Sequence, residues 1–179
     1  QFLHLARVES SEPIEMYDLD MGALVQNALD SLYHQALAKG VNFEFHEPDD
    51  AWVNGNGEIL ERVLINLLTN AVKYGHPNFN VQVSIQEQED NLKISVQNTG
   101  PAIPDRLQKN LFRPYNRFEV ELDNRQNGVG LGLRFVAVSL QRHNSYIEFS
   151  SDAKRTCFHF ELPKLVFSTD SKNLALKQG

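Results

Sequence analysis

Four polar side chains are spaced so that they could surround one ligand from a single face of a helix. They are separated by four, four and three residues: Arg62, Asn66, Asn70 and Lys73. On a helix that turns 100° per residue, they fall within an arc of about 80°. Amide oxygens can coordinate a hard cation such as Mg²⁺, and a lysine can contact phosphate. The alternative, a solvated polar face, explains the charged pair well but the two asparagines less well, because asparagine is a poor helix-interior residue.

A glycine-rich run ahead of a predicted helix is the second candidate for a ligand site. It reads Gly128-Val129-Gly130-Leu131-Gly132-Leu133. Main-chain amides in such a run can approach phosphate closely, and the dipole of the following helix favours negative charge. Taken alone, the run is more often a simple loop-to-helix connection. Residues 105–134 hold six basic and four acidic side chains, a local balance of +2 in a chain of net charge -6, which suits an anionic ligand.

The elements that must position these groups follow from hydrophobic periodicity. Apolar pairs recurring every four residues predict a helix over about 58–74, opposite the polar face described above. Another helix is predicted over 18–39, with Asp18 or Asp20 as its N-cap. Two more are predicted, one over 131–143 and one at the very start of the chain. Alternating apolar residues predict six strands, at 41–45, 51–53, 81–85, 92–96, 145–150 and 156–162. This order predicts an α/β (α+β) two-layer sandwich, a mixed, mostly antiparallel sheet covered on one face by three helices.

Composition narrows the class of protein. The chain has 179 residues, of which 41% are hydrophobic, enough for one domain with its own core. Its acidic balance argues against a broad nucleic-acid or anionic-membrane surface. The single cysteine, Cys157, excludes an internal disulfide framework and fits a reducing compartment. The sequence contains no apolar run of about 18 residues, so we expect this fragment to make no membrane contact.

Four motifs follow one another along the chain. They are Asn66-Leu67-Leu68-Thr69-Asn70-Ala71-Val72-Lys73-Tyr74, then NTGPAIP at 98–104, FRPYNR at 112–117 and GVGLGL at 128–133. Together they resemble the N, G1, F and G2 boxes of sensor histidine kinases. The resemblance covers residues 18–163, and four ordered motifs are a far more specific signal than any one of them. It implies the Bergerat-type ATP-binding fold that these kinases share with gyrase, Hsp90 and MutL proteins, with ATP and Mg²⁺ as cofactors.

The resemblance also implies roles for particular residues. It makes Asn70 the Mg²⁺ ligand and gives catalytic roles to Asn66, Lys73 and Arg117, the last reaching the phosphates from a lid. The nucleotide would further be contacted by Tyr74, by Asn98, Gly100, Ala102 and Ile103 of the G1 box, and by Gly128, Val129, Gly130, Leu131, Gly132 and Leu133.

Position 66 separates two kinds of chemistry within this superfamily. The hydrolysing members have a glutamate there, which can activate water as a general base. Asn66 therefore disfavours a third possible function, that of a gyrase- or Hsp90-type ATPase, which hydrolyses ATP on its own. It favours transfer of the γ-phosphoryl group to a histidine. None of the six histidines has the sequence context of an acceptor, so we expect the acceptor upstream, on a dimerisation domain.

The resemblance divides the chain into three parts and implies its partners. Residues 1–12 look like the end of an upstream dimerisation helix, 13–163 form the catalytic domain and 164–179 are a polar tail. The expected partners are the chain's own dimerisation and phosphoacceptor domain and a response regulator or receiver domain, with no nucleic acid. We expect a homodimeric parent, a monomeric fragment and a cytoplasmic domain, whether or not the parent is anchored in the inner membrane.

One departure from the family pattern leaves a second function open. The G1 box normally opens with aspartate, whereas this chain has Asn98, which keeps an acceptor oxygen but loses the charge. We expect adenine affinity to be weakened several-fold. The alternative is therefore a degenerate kinase-like domain with weak or no nucleotide binding, acting as a regulatory or docking module.

Overall fold

The computed structural model describes residues 2–10, 12–113 and 131–166. Five helices lie in these ranges: α1 (Phe2–Glu9), α2 (Met21–Leu37), α3 (Gly57–Tyr74), α4 (Asp105–Gln108) and α5 (Gly132–Gln141). Seven strands accompany them: β1 (Tyr17–Asp20), β2 (Asn42–His46), β3 (Trp52–Gly55), β4 (Asn80–Glu87), β5 (Asn91–Thr99), β6 (Glu148–Ser151) and β7 (Arg155–Pro163). No helix within the described ranges is long and apolar enough to cross a membrane.

The main sheet has five strands in the order β2-β4-β5-β7-β6. β2 runs parallel to β4, and the other neighbours are antiparallel. The predicted two-layer sandwich with a mixed, mostly antiparallel sheet is therefore confirmed. β1 and α4 were not predicted from the sequence, and the strand predicted at 51–53 is not part of this sheet. It is β3, which pairs with β1 in a separate two-stranded sheet.

The central helices form where the sequence predicts them because each has a cap and a continuous apolar face. The carboxylate of Asp20 accepts hydrogen bonds from the first turn of α2, and the amide oxygen of Asn56 accepts one from Ile59 N in α3. The apolar face of α3 is buried at Leu60, Val63, Leu64, Leu67, Leu68, Ala71 and Val72. Burying a leucine contributes about 1.5–3 kcal/mol, so this face fixes which side of α3 remains for ligands.

Alternation along β5 brings a polar residue onto the core side of the sheet. Leu92, Ile94 and Val96 are buried, and Asn98 continues the same row two residues later. On the neighbouring strand, Thr156 stands opposite Asn98 and begins the buried row of β7. The core side of the sheet thus ends in two polar side chains at the edge of the apolar core.

The first helix is docked on α5 rather than extending freely. Leu5 and Val8 are buried, and the guanidinium of Arg142 at the end of α5 donates to the carbonyls of Val8 (3.3 Å), Ser10 and Glu12. The first bond satisfies a carbonyl in the last turn of α1, and the other two hold the segment that follows the helix. Arg134 adds an ion pair with Glu9 at 3.0 Å. The expected helix at the start of the chain is thus confirmed; whether it belongs to a dimerisation domain stays a prediction.

Candidate functional site

The C-terminal end of α3 is pressed against the end of β5, and two glycines make this possible. A Cβ atom on Gly100 would lie 2.6 Å from the carbonyl oxygen of Tyr74, and one on Gly75 would lie 3.4 Å from that of Thr99 on β5. The main-chain N–H of His76 donates to the carbonyl of Thr99 at 2.9 Å. The N-box helix and the G1-box strand therefore meet in space, as the resemblance implies.

Asn98 lies at this junction with only 6% of its surface exposed. Its Nδ2 donates to the carbonyl oxygen of Thr99 at 3.2 Å. The amide nitrogen, which has no counterpart in the aspartate usual at this position, is thus paired within the protein. Oδ1 has no hydrogen-bond partner among the residues that the structure describes, so it remains an acceptor at the edge of the core.

The loop that follows β5 carries the other predicted G1-box residues. Ile103 inserts its side chain into the core and is 7% exposed, whereas Ala102 is exposed, so its methyl group meets no obstruction. The Ile103 N–H donates to Oγ of Ser151 at 2.9 Å, and that oxygen lies 2.7 Å from Oγ1 of Thr156. Neither hydroxyl was predicted as a site residue from the sequence, although the alternation of β7 indicates that Thr156 faces inward.

The middle of α3 meets the N-terminus of α5 at the opposite end of the site. A Cβ atom on Gly132 would lie 2.7 Å from Oδ1 of Asn66, so any larger residue here would have to displace the Asn66 amide. Nδ2 of Asn66 donates back to the carbonyl of Arg62 at 2.8 Å, which orients the amide. Together with Leu131 and Phe135 these residues line a shallow depression. The N box and the last glycine of the G2 box are therefore neighbours.

The remaining α3 candidates lie between these two ends, on the half-exposed face opposite the buried stripe. Asn70 is half-buried, and its amide has no hydrogen-bond partner within the described ranges. Nζ of Lys73 lies 5.0 Å from the centre of the Tyr74 ring, in cation–π contact. The predicted shared face of Arg62, Asn66, Asn70 and Lys73 is thus present.

Two leucines of the glycine-rich run, Leu131 and Leu133, lie in or against the core. The side chain of Leu131 is 2% exposed and Leu133 packs against the core, so Leu131 in particular is able to meet a ligand only through its main chain. Arg117, Gly128, Val129 and Gly130 lie outside the described residues.

A buried histidine holds α3 and α5 together behind the site. Nε2 of His143 accepts from the main-chain N–H of Asn56, the N-cap of α3, at 3.0 Å, while Nδ1 donates to the carbonyl of Ser139 at 2.7 Å. Both ring nitrogens are therefore used in the neutral form. Burial lowers the pKa of His143 below its ordinary value of 6.5, and the nearby charge of Arg142 lowers it further, against an opposing effect of the Ser139 bond.

Comparison with known proteins agrees with this geometry. Residues 55–166 match the family model described as "Histidine kinase-, DNA gyrase B-, and HSP90-like ATPase". The sensor protein CutS of Streptomyces coelicolor is 33% identical over 146 residues, which cover 81% of this chain and 35% of CutS. The chain thus spans about a third of the length of the curated relatives it matches.

Solved structures share the fold at lower identity. The catalytic domain of histidine kinase ThkA superimposes with a TM-score of 0.74 at 23% identity, covering 84% of this chain and 97% of that one. A second ThkA structure, in complex with the response regulator protein TrrA, gives 0.69 at 21% identity, with 84% and 42% covered. Full-length ShkA in complex with AMPPNP gives 0.80 at 20% identity, with 94% and 35% covered.

The family match spans α3, the G1-box strand and the last strands of the sheet, which are the elements that form both ends of the site. The chain therefore belongs to the family of histidine kinase-, DNA gyrase B- and HSP90-like ATPase domains.

Proposed function

We propose that this chain is the ATP-binding catalytic domain of a two-component sensor histidine kinase, which transfers the γ-phosphoryl group of ATP to a histidine on an upstream dimerisation domain. One observation carries the proposal. The C-terminal end of α3 lies beside Asn98, whose side-chain oxygen is available as an acceptor, and the middle of the same helix contacts Gly132 at the start of α5 through Asn66. From Asn66 to Tyr74 the helix rises about 12 Å. A nucleotide can span such a distance with its base at one end and its phosphates at the other.

The residues at the base end fit adenine. Oδ1 of Asn98 can accept a hydrogen bond from an exocyclic amine, because Nδ2 is already bonded to Thr99. Gly75 and Gly100 let the end of α3 pack directly against the end of β5, which fixes the position of Asn98. A neutral acceptor binds an amine more weakly than a carboxylate does, so the affinity should be modest.

The residues at the phosphate end fit a triphosphate with Mg²⁺. Bound Mg²⁺ would neutralise charge that builds up on the phosphates during transfer. The amide oxygen of Asn70 would hold the ion, which prefers oxygen ligands, and Lys73 would contact phosphate. The main-chain amides at Leu131 and Gly132 begin α5, where the helix dipole favours anions. Arg117, Gly128, Val129 and Gly130 would complete this end.

Asn66 determines which acceptor the phosphoryl group reaches. A carboxamide does not take up a proton near neutral pH, so Asn66 is unable to act as the general base that activates water. Its oxygen instead faces Gly132. We infer that the domain holds ATP without hydrolysing it rapidly and that the acceptor histidine supplies the nucleophile.

The partners follow from the same proposal. The acceptor domain would join the chain at α1, and a response regulator would receive the phosphoryl group next. The ThkA–TrrA complex supports a regulator partner for this kind of domain. We further propose a cytoplasmic location, because transfer requires ATP. We propose a dimeric parent, because the acceptor histidine would lie on the dimerisation helices.

Titration of ADP and ATP with Mg²⁺ by calorimetry tests the proposal directly. We expect saturable binding that Asn98→Ala weakens, while Asn27→Ala, which truncates an exposed asparagine on α2, leaves it unchanged. Binding should occur with little multiple-turnover hydrolysis. No detectable binding at millimolar nucleotide would instead support the second candidate, a degenerate regulatory or docking module, which the missing charge at Asn98 favours.

A further inference from the structure

The loop between β5 and α4, residues 100–104, is held in shape mainly by side chains. Within the described part of the chain, no main-chain hydrogen bond fixes residues 100–103. Both main-chain polar groups of Ile103 are instead engaged by side chains. Its N–H donates to Oγ of Ser151 at 2.9 Å, and its carbonyl accepts from Nε2 of Gln108 at 2.8 Å.

Ser151 is itself fixed on the β6–β7 hairpin. Its Oγ lies 2.7 Å from Oγ1 of Thr156, its direct partner across the two strands. The turn between the strands is set by Asp152, whose Oδ1 accepts from the N–H groups of Lys154 and Arg155 at 2.7 and 3.0 Å. The hydroxyl that holds Ile103 is therefore presented by a braced hairpin.

Gln108 is oriented in a similar way from the other side of the loop. Its Nε2 is shared between the Ile103 carbonyl and Oδ1 of Asp105 at 3.2 Å, so the amide is held against the first turn of α4. The Ile103 side chain is buried, which leaves its peptide groups little freedom once both bonds are made.

We propose that Ser151 and Gln108 are positioning residues that hold this loop ready to receive the nucleotide base. The inference rests on the proposed function, because it assigns the loop to the base end of an ATP site. Thr156 links the brace to that end, since it stands directly across from Asn98 in the sheet. A loop ordered before binding loses less conformational entropy when the ligand arrives, so the brace should raise affinity.

Two substitutions, each with a matched control, test the brace that Ser151 and Gln108 form around Ile103. The readout is calorimetric titration of ADP with Mg²⁺. Ser151→Ala removes the acceptor for Ile103 N–H, and Gln108→Met keeps the side-chain length but removes the donor. Each should weaken ADP binding about three- to tenfold, the equivalent of one neutral hydrogen bond. The matched controls are Ser150→Ala, next to Ser151, and Gln86→Met, an exposed glutamine on β4; both should leave affinity unchanged.

Two further measurements separate positioning from general stability. Ser151→Thr keeps the hydroxyl and should restore affinity to near the unsubstituted value. Hydrogen exchange of the Ile103 amide without nucleotide should become faster in Ser151→Ala and stay slow in Ser150→Ala. If Ser151→Ala unfolds the domain, Gln108→Met tests the same brace through the bond to the Ile103 carbonyl.

The outcomes distinguish this inference from the function on which it rests. If the unsubstituted protein binds ADP and Ser151→Ala binds it as tightly as Ser150→Ala does, the brace is overturned and the proposed function stands. A weaker affinity with unchanged Ile103 exchange also overturns it, because the effect would not pass through that peptide. If the unsubstituted protein fails to bind nucleotide, both proposals fall.

Discussion

Nδ2 of Asn98 donates to the main-chain oxygen of Thr99 at 3.2 Å, so the side chain presents its oxygen and conceals its nitrogen. The usual aspartate would place a second oxygen where this nitrogen lies. The asparagine therefore exchanges the charge at the base end for an internal hydrogen bond. Replacing Asn98 with aspartate should consequently change affinity and stability in opposite directions.

Asn98→Asp should tighten ADP binding several-fold and lower the free energy of unfolding by about 1–2 kcal/mol. The charge strengthens the bond to an adenine amine, whereas a buried carboxylate has no proton to donate to Thr99. Calorimetric titration and urea unfolding measure the two effects. Asn27→Asp, the same change at an exposed site, controls for net charge; unchanged or weaker ADP binding by Asn98→Asp would contradict this account.

Gly132→Ala should destabilise the unsubstituted protein but not a variant that lacks the Asn66 amide. The new Cβ would lie 2.7 Å from Oδ1 of Asn66 and would force that side chain off its bond to Arg62. In an Asn66→Ala background the contact is absent, so the added methyl group should cost little. A double-mutant cycle in urea therefore should give a coupling energy of about 1 kcal/mol or more. Additive effects would show that the two residues are not in contact.

Stability should fall as the pH drops below the ordinary pKa of histidine, because His143 is buried in the neutral form. Its pKa is lowered in the folded protein, so below about 6.5 the unfolded chain binds a proton that the folded one resists. The contribution is complete above that value and is lost as the pH falls towards the folded pKa, by up to about 1.4 kcal/mol per pH unit.

The comparison with His143→Gln isolates this residue from the other histidines. Urea unfolding of both proteins between about pH 7.5 and about pH 5 gives two slopes, and only the contribution of His143 differs between them. A shallower slope for the variant is expected. Equal slopes would mean that His143 protonates as easily in the folded state as in the unfolded one.

Arg142→Ala should loosen α1 without unfolding the sheet. The guanidinium donates to one carbonyl in the last turn of that helix and to two in the segment after it, and bonds from a charged donor contribute about 1.5–3 kcal/mol when not exposed. Hydrogen exchange should accelerate in α1 and remain slow in β5. Arg155→Ala removes an exposed arginine and should change neither element; equal exchange in α1 for both variants would argue against the cap.

Periodicity made α3 and its polar face predictable, because one buried stripe of leucines and valines leaves only one face for Asn70 and Lys73. The β1 strand was not predictable in the same way, since it has a single apolar residue, Leu19, and exists only through its pairing with β3. Ser151 and Thr156 are single hydroxyls on short strands. Their role depends on the register of β5, β6 and β7, which no local pattern in the sequence specifies.

The length of α3 between its two contacts has a consequence for how such a domain can vary. Asn66 meets Gly132 of α5, and Tyr74, the last residue of the same helix, meets Gly100 just after β5, so each residue inserted between them would turn one contact by 100° and move it by about 1.5 Å. Side chains along this interval can be exchanged one at a time, but insertions and deletions would separate the two ends. The number of residues between the two contacts of α3 is therefore constrained, and an alignment of homologues should show no gaps in this part of the helix.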